Sequence, residues 1–127
     1  MRCRWPLLFL LACAAGMAIA RPVPANSVDR EVDALIASIG ALKGASFIRN
    51  GEAHSATEAA SHLQMKRRKA GQRIKTAEDF ITLCATGSYL SGKPYRIRLA
   101  DGTTVASGDF LRARLREIRA QASPTAR

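Results

Sequence analysis

The sequence predicts a small α+β domain, mainly helical, in which the order helix, hairpin, helix occurs twice. Apolar residues recur at helical spacing in four separate stretches. Two dipeptides, Asn50-Gly51 and Asp101-Gly102, each part a pair of short segments as the tight turn of a hairpin does. The chain has 127 residues, room for one domain and too few for two ordinary ones. The reading is therefore about four helices carrying two short β-hairpins in a single unit over 27–122, with a tail at 123–127.

Asn26 or Ser27 is placed to cap the first helix. Behind it Val28, Val32, Leu35, Ile36, Ile39 and Leu42 line one face, and Gly44 is placed to stop it. In the first hairpin, Phe47–Arg49 and Glu52–His54 are the arms, since Asn50 and Gly51 both tolerate the positive φ of a type I′ turn. Ser55 with Glu58 makes a capping box. The helix it opens turns the small face Ala56, Ala59, Ala60 and Leu63 inward and ends at Gly71.

Thr76 caps the third helix, with Glu78 and Asp79 at its positive dipole end and Ala77, Phe80, Ile81 and Cys84 on its buried face, as far as about Ala85. After the polar loop Gly87–Pro94, Tyr95, Ile97 and Leu99 alternate with Arg96 and Arg98, so one face of that strand is buried and the other wet. Thr103–Val105 is the return arm. Ser107 is placed to cap the last helix, whose core side is Leu111, Leu115, Ile118 and Ala122, and Pro124 ends it.

The first twenty residues read as an export signal. Arg2 and Arg4 form its basic start, Trp5–Ala15 its apolar run and Ala18-Ile19-Ala20 its small-residue cleavage site. Residues 21–26, with Pro22 and Pro24, form a loose leader. The expected address is the periplasm or the exterior, with no transmembrane segment in the mature chain. Leu10-Leu11-Ala12-Cys13 offers a lesser route, a lipoprotein acylated on Cys13. Without the signal only Cys84 remains, which excludes an intramolecular disulfide and reads as a small core hydrophobe.

Loss of the signal removes Arg2 and Arg4 and no acid, so the net charge falls from +10 to +8. Six cations (Lys66, Arg67, Arg68, Lys69, Arg73 and Lys75) gather around the joint between the two middle helices with no acid between them. A second basic stripe, Arg112, Arg116 and Arg119, follows helical spacing on the last helix. The partner this implies is an acidic protein surface, an anionic envelope polymer or lipid phosphate. Aromatic residues interleave poorly with these cations, which argues against a nucleic-acid platform.

Chemistry is less well supported. His54 and His62, the two histidines, lack the spacing of a metal motif, so neither a metal nor another cofactor is expected. The acids occur mainly at helix starts and turns, and Asp29, Glu31, Glu58, Glu78, Asp79 and Asp109 suit the positive dipole ends, so capping accounts for them. Ser91 and Lys93 could form a serine–lysine pair, but Gly92-Lys93-Pro94 reads equally well as a turn entering a strand. No catalytic residue is assigned.

Three stretches, FIRNG at 47–51, RIKTAEDFI at 73–81 and SGKPYRIR at 91–98, together resemble a family of small exported bacterial proteins known as a domain of unknown function. The similarity runs from about Val28 to Ile118. It implies a periplasmic address and no established activity. Two departures from the family pattern are an aromatic missing near His54 and Phe110 in place of tryptophan. The expected function is noncatalytic binding through a basic surface. The alternative is a small envelope hydrolase, or an accessory factor, using the Ser88–Tyr95 loop.

Overall fold

The computed structural model describes residues 25–123. The expected export signal at 1–20, with Cys3 and Cys13, lies outside the described residues, as do most of the leader and the last four residues of the tail. Four helices and four short strands follow in the expected order: α1 (Ala25–Gly40), β1 (Ser46–Arg49), β2 (Glu52–His54), α2 (Ala56–Ala70), α3 (Ala77–Phe80), β3 (Arg96–Arg98), β4 (Thr104–Ala106) and α4 (Ser107–Ala122). The fold is α+β and mostly helical.

The hairpins do not stand apart. β1 pairs with β3, so both join one antiparallel sheet in the order β2-β1-β3-β4. The first arms of the two helix–hairpin–helix halves lie side by side at its centre, and the return arms form its edges. Register sorts the faces: His54, Phe47, Ile97 and Val105 are paired in one row across the sheet. Phe47 and Ile97 in that row are buried, whereas the neighbouring row contains the exposed Arg96, as the alternation requires.

Behind the sheet, α1 packs against α2, α3 and α4. Val32, Leu35 and Ile39 of α1 share the core with Phe80, Ile81, Cys84, Ile97 and Leu111. The small face of α2 lets α1 approach closely, since a Cβ built on Gly40 would stand 3.4 Å from that of Ala60. Cys84 is 1% exposed, a core thiol whose pKa burial pushes up.

Local signals set most element ends. Asn50 and Gly51 have φ of 52° and 84°, as a type I′ turn demands. In the second hairpin the amide of Gly102 donates to the Leu99 carbonyl at 2.9 Å, with Gly102 at φ 88°. This longer turn holds Thr103 and starts β4 one residue later than expected. Gly71 ends α2 at φ 52°, and Thr76 caps α3 in a box whose return partner is Asp79.

Further boundaries differ from expectation, among them the end of α1 at Gly40 rather than at Gly44. α1 begins at Ala25, ahead of the expected caps. As a result Asp29 and Glu31 lie beyond its first turn and are not dipole partners. α3 lasts four residues and then widens into a π-helical turn, Ile81–Ala85, where the Thr86 hydroxyl donates to the Ile81 carbonyl at 2.8 Å. Finally, Ser107 does not cap α4. Its amide donates to the Tyr95 carbonyl at 2.9 Å, continuing the sheet ladder into the helix, so Ala106 takes the cap position.

The capping box of α2 is complete. The Glu58 amide donates to Ser55 Oγ at 3.2 Å, and the Ser55 amide donates to Glu58 Oε2 at 2.8 Å. Ser55→Ala is expected to cost about 1 kcal/mol in urea unfolding at neutral pH. The Ser55 backbone hydrogen bond holds the Glu58 carboxyl below its usual value. The contribution is therefore present above the unfolded pKa and fades as pH falls through the folded one. Equal stability of variant and wild type at neutral pH would remove the box as a determinant of α2.

Candidate functional site

Two features of the fold gather chemistry: the basic end of α2, and a pocket between α2 and the first hairpin. At the first, the structure divides the six expected cations by what holds them. Arg67 is turned back across α1, its guanidinium donating to Asp33 at 2.5 Å and to Asp29 at 2.8 Å. It ties α2 to α1 and offers little charge outward. Lys66 also turns inward, donating to the Gly87 carbonyl and to Tyr95 Oη, each at 3.1 Å.

Arg68, Lys69, Arg73 and Lys75 are exposed and form no ion pair with a carboxylate among the described residues. Arg68 and Lys69 fill the last turn of α2, where its dipole favours cations. Arg73 closes the following 3₁₀ turn, its Nε donating to the Ala70 carbonyl at 3.3 Å, and Lys75 precedes the cap of α3. The joint thus presents four charges, not six.

The second stripe is divided in the same way. Arg119 donates to Glu31 of α1 at 2.8 Å and to Glu78 of α3, bracing three helices together. Glu31 and then Glu78 push the guanidinium's pKa up, and Arg119 in turn holds the Glu78 carboxyl low. Arg112 meets Asp109 at 3.4 Å, and Arg116 is exposed.

Beside the basic end lies the Gly87–Pro94 loop. Tyr89 is 70% exposed and Leu90 fully so, the two large hydrophobic residues left in water among those described. The Lys66 ammonium stands 5.6 Å from the Tyr89 ring centroid, which places this tip against the last turns of α2. Ser91 does not meet a base here. Its hydroxyl donates to Asn50 Oδ1 at 2.6 Å and accepts from the Lys93 backbone amide at 3.3 Å, so no Ser91–Lys93 side-chain pair is assembled.

The pocket brings together His54 and His62, which sequence spacing did not connect. It is a cavity of about 40 Å³ with an open mouth, lined by Phe47, Arg49, His54, Glu58, His62 and Tyr95, with Ile39 and Leu63 adding apolar wall. A signal for this convergence was present. The capping box fixes the turn right after His54, and Glu58 and His62 are one helical turn apart on the same face of α2.

Lys66 sets the polarity of the pocket's back wall. An ammonium only donates, so Tyr95 Oη accepts from it and is left to donate toward His62 Nε2, 3.4 Å away. His62 then carries its proton on Nδ1. Burial first, then the charges of Arg49 and Lys66, lower its pKa to about 4, so the ring is neutral at pH 7.

Similarity to known proteins places this geometry within a family. Residues 26–119 match the model of a family of unknown function, DUF5329. Over 67 residues the chain is 40% identical to the uncharacterized protein YfeK of Salmonella typhimurium (strain LT2), covering 53% of this chain and 56% of that protein. The chain thus spans about half the length of that relative. No solved structure matches it.

Proposed function

We propose, for a chain that belongs to the DUF5329 family of unknown function, that it is a noncatalytic exported protein that binds an anionic component of the cell envelope. The exposed end of α2 is the contact surface. One observation carries this: Arg68, Lys69, Arg73 and Lys75 crowd one helix joint, exposed and without carboxylate partners among the described residues. The neighbouring cations Arg67 and Arg119 are each held by two acids. Arg67 and Arg119 are neutralised within the fold, whereas these four leave their charge open to a partner.

The Tyr89–Leu90 tip favours an anionic lipid surface over a soluble polymer. An amphipathic tyrosine beside a fully exposed leucine suits the headgroup boundary, and cations on the adjacent helix end supply the second attraction that stable attachment needs. No helix among the described residues is long and apolar enough to cross a membrane, so attachment through this patch would be peripheral.

The test is vesicle binding by the processed protein. Each cation near an anionic membrane contributes about 1 kcal/mol. The triple reversal Arg68→Glu, Lys69→Glu, Arg73→Glu is therefore expected to weaken binding to anionic vesicles by about a hundredfold or more. Arg67 is left intact because its reversal would break the α1–α2 bridge. Leu90→Ser is expected to weaken vesicle binding about tenfold and to leave binding to a soluble polyanion unchanged. A folded triple variant that binds vesicles and polyanion like wild type would overturn the proposal. Binding to neither, with retention of an acidic envelope protein, would move the assignment to a protein partner.

A further inference from the structure

The geometry points to a small organic carboxylate as the occupant of the pocket between the β1–β2 hairpin and α2. Its charged end would pair with Arg49, its oxygens would meet His54, and its carbon skeleton would lie against Phe47 and Leu63.

The first support is an unpartnered polar atom. Nε2 of His54 is buried and has no hydrogen-bond partner. The Glu52 carboxylate stands 4.0 Å from it, and Glu58 stands 3.9 Å from Nδ1 of the same ring, both beyond hydrogen-bonding reach. Such orphans are rare and call for a reason; the atom is closed to solvent as the ring stands, so a ligand in the pocket that His54 lines would meet it after a turn of the ring.

Charge complementarity is the second. Arg49 and Arg96 line the pocket, and Lys66 stands behind Tyr95. Arg49 is half-buried and pairs with no carboxylate among the described residues. Of the two acids near the site, Glu58 already accepts the Ser55 amide, and Glu52, 4.0 Å from His54 Nε2, is turned to solvent. A cation would face two guanidinium groups there, and no trio of metal-ligating side chains exists among the described residues. The charge of the walls suits an anion.

The wall chemistry narrows the class further. Phe47, Leu63, Ile39 and Ala59 form an apolar floor, which an inorganic anion cannot use. The cavity of about 40 Å³ admits a few heavy atoms before the ligand reaches the mouth. A short-chain carboxylate has the required parts: one charge, two acceptor oxygens and a small apolar body. Neutral His62, with Nδ1–H as donor, adds a polar contact without adding charge.

His54 and His62, the chain's two histidines, allow a direct readout by ring NMR. The processed protein would be titrated with acetate, propionate and butyrate, with inorganic phosphate and acetamide in parallel. Saturable shifts of both rings are expected with the carboxylates, strongest where the carbon chain fills the floor, and none with acetamide. A hydrogen-bonded charge is worth about 1.5–3 kcal/mol, so Arg49→Gln is expected to weaken binding by at least about tenfold, and Arg49→Lys to restore part of it. Shifts that rise without saturating, that phosphate reproduces, or that survive Arg49→Gln would overturn the assignment. None of these arms uses the basic end of α2, so failure here leaves the membrane reading standing, and the reverse holds.

Discussion

Phe80→Ala is expected to remove about 3–5 kcal/mol of folding stability, the range for emptying a fully buried phenylalanine site. Phe80 is completely buried where α3 becomes the π turn, in one apolar cluster with residues of α1, β3 and α4. Removing the ring opens a void that borders all of them. Small domains hold about 5–15 kcal/mol in total, so the variant should melt on the order of 15–30 °C lower and be partly unfolded at 37 °C. Phe80→Leu, which keeps most of the volume, should lose clearly less. Urea unfolding followed by circular dichroism decides it. A loss below about 1 kcal/mol for alanine would mean the site collapses freely and is not the centre of the core.

Helical spacing by itself marks Phe80 as a core residue, and the reason is local. The helix period sets Ala77, Phe80, Ile81 and Cys84 on one side, and all four are buried. The same holds for the Ser55–Glu58 box, the Asn50-Gly51 turn and the alternation of Tyr95, Ile97 and their arginines. In each case the deciding residues lie within a few positions of one another, so propensity and period suffice. The pairing of β1 with β3 is of another kind. It joins Phe47 to Ile97, and nothing in either short strand names its partner.

The basic surface shows the same divide. Sequence locates all six cations of the joint but cannot say which are free. The answer depends on acids 34 and 38 positions from Arg67, carried by the facing helix. Asp29 and Glu31, expected to serve the dipole of their own helix, instead hold Arg67 and Arg119 of other helices. The histidine pocket needs Tyr95, 33 positions from His62, as its third wall. Long-range pairing decides which charges stay exposed and how the pocket is walled, whereas local rules decide the elements that carry them.

A second large effect is expected from acid, through His62. Burial first, then Arg49, Lys66, His54 and Lys69, lower its pKa from 6.5 to about 4. Above pH 6.5 the ring is neutral in both folded and unfolded chains, and its contribution to stability is whole. Between 6.5 and about 4 the unfolded chain takes up a proton that the folded one refuses, so stability falls with pH; below that both are protonated and the loss is complete. At full weight such a shift is worth about 3 kcal/mol. The ring is only partly buried, and solvent screening reduces this to about 1–2 kcal/mol. Glu58, Glu78 and Asp101, whose carboxyls are held low, act below their ordinary values of 4.5, 4.5 and 3.8, so the upper part of the window belongs to His62. Urea unfolding of wild type should therefore weaken steadily from pH 6.5 to 4.5, and His62→Gln should flatten that limb while leaving the carboxylate-driven fall beneath it. Parallel curves for the two proteins across this range would mean the ring titrates as freely in the fold as in water. Neither burial nor the charges of Arg49 and Lys66 would then keep the proton off the ring.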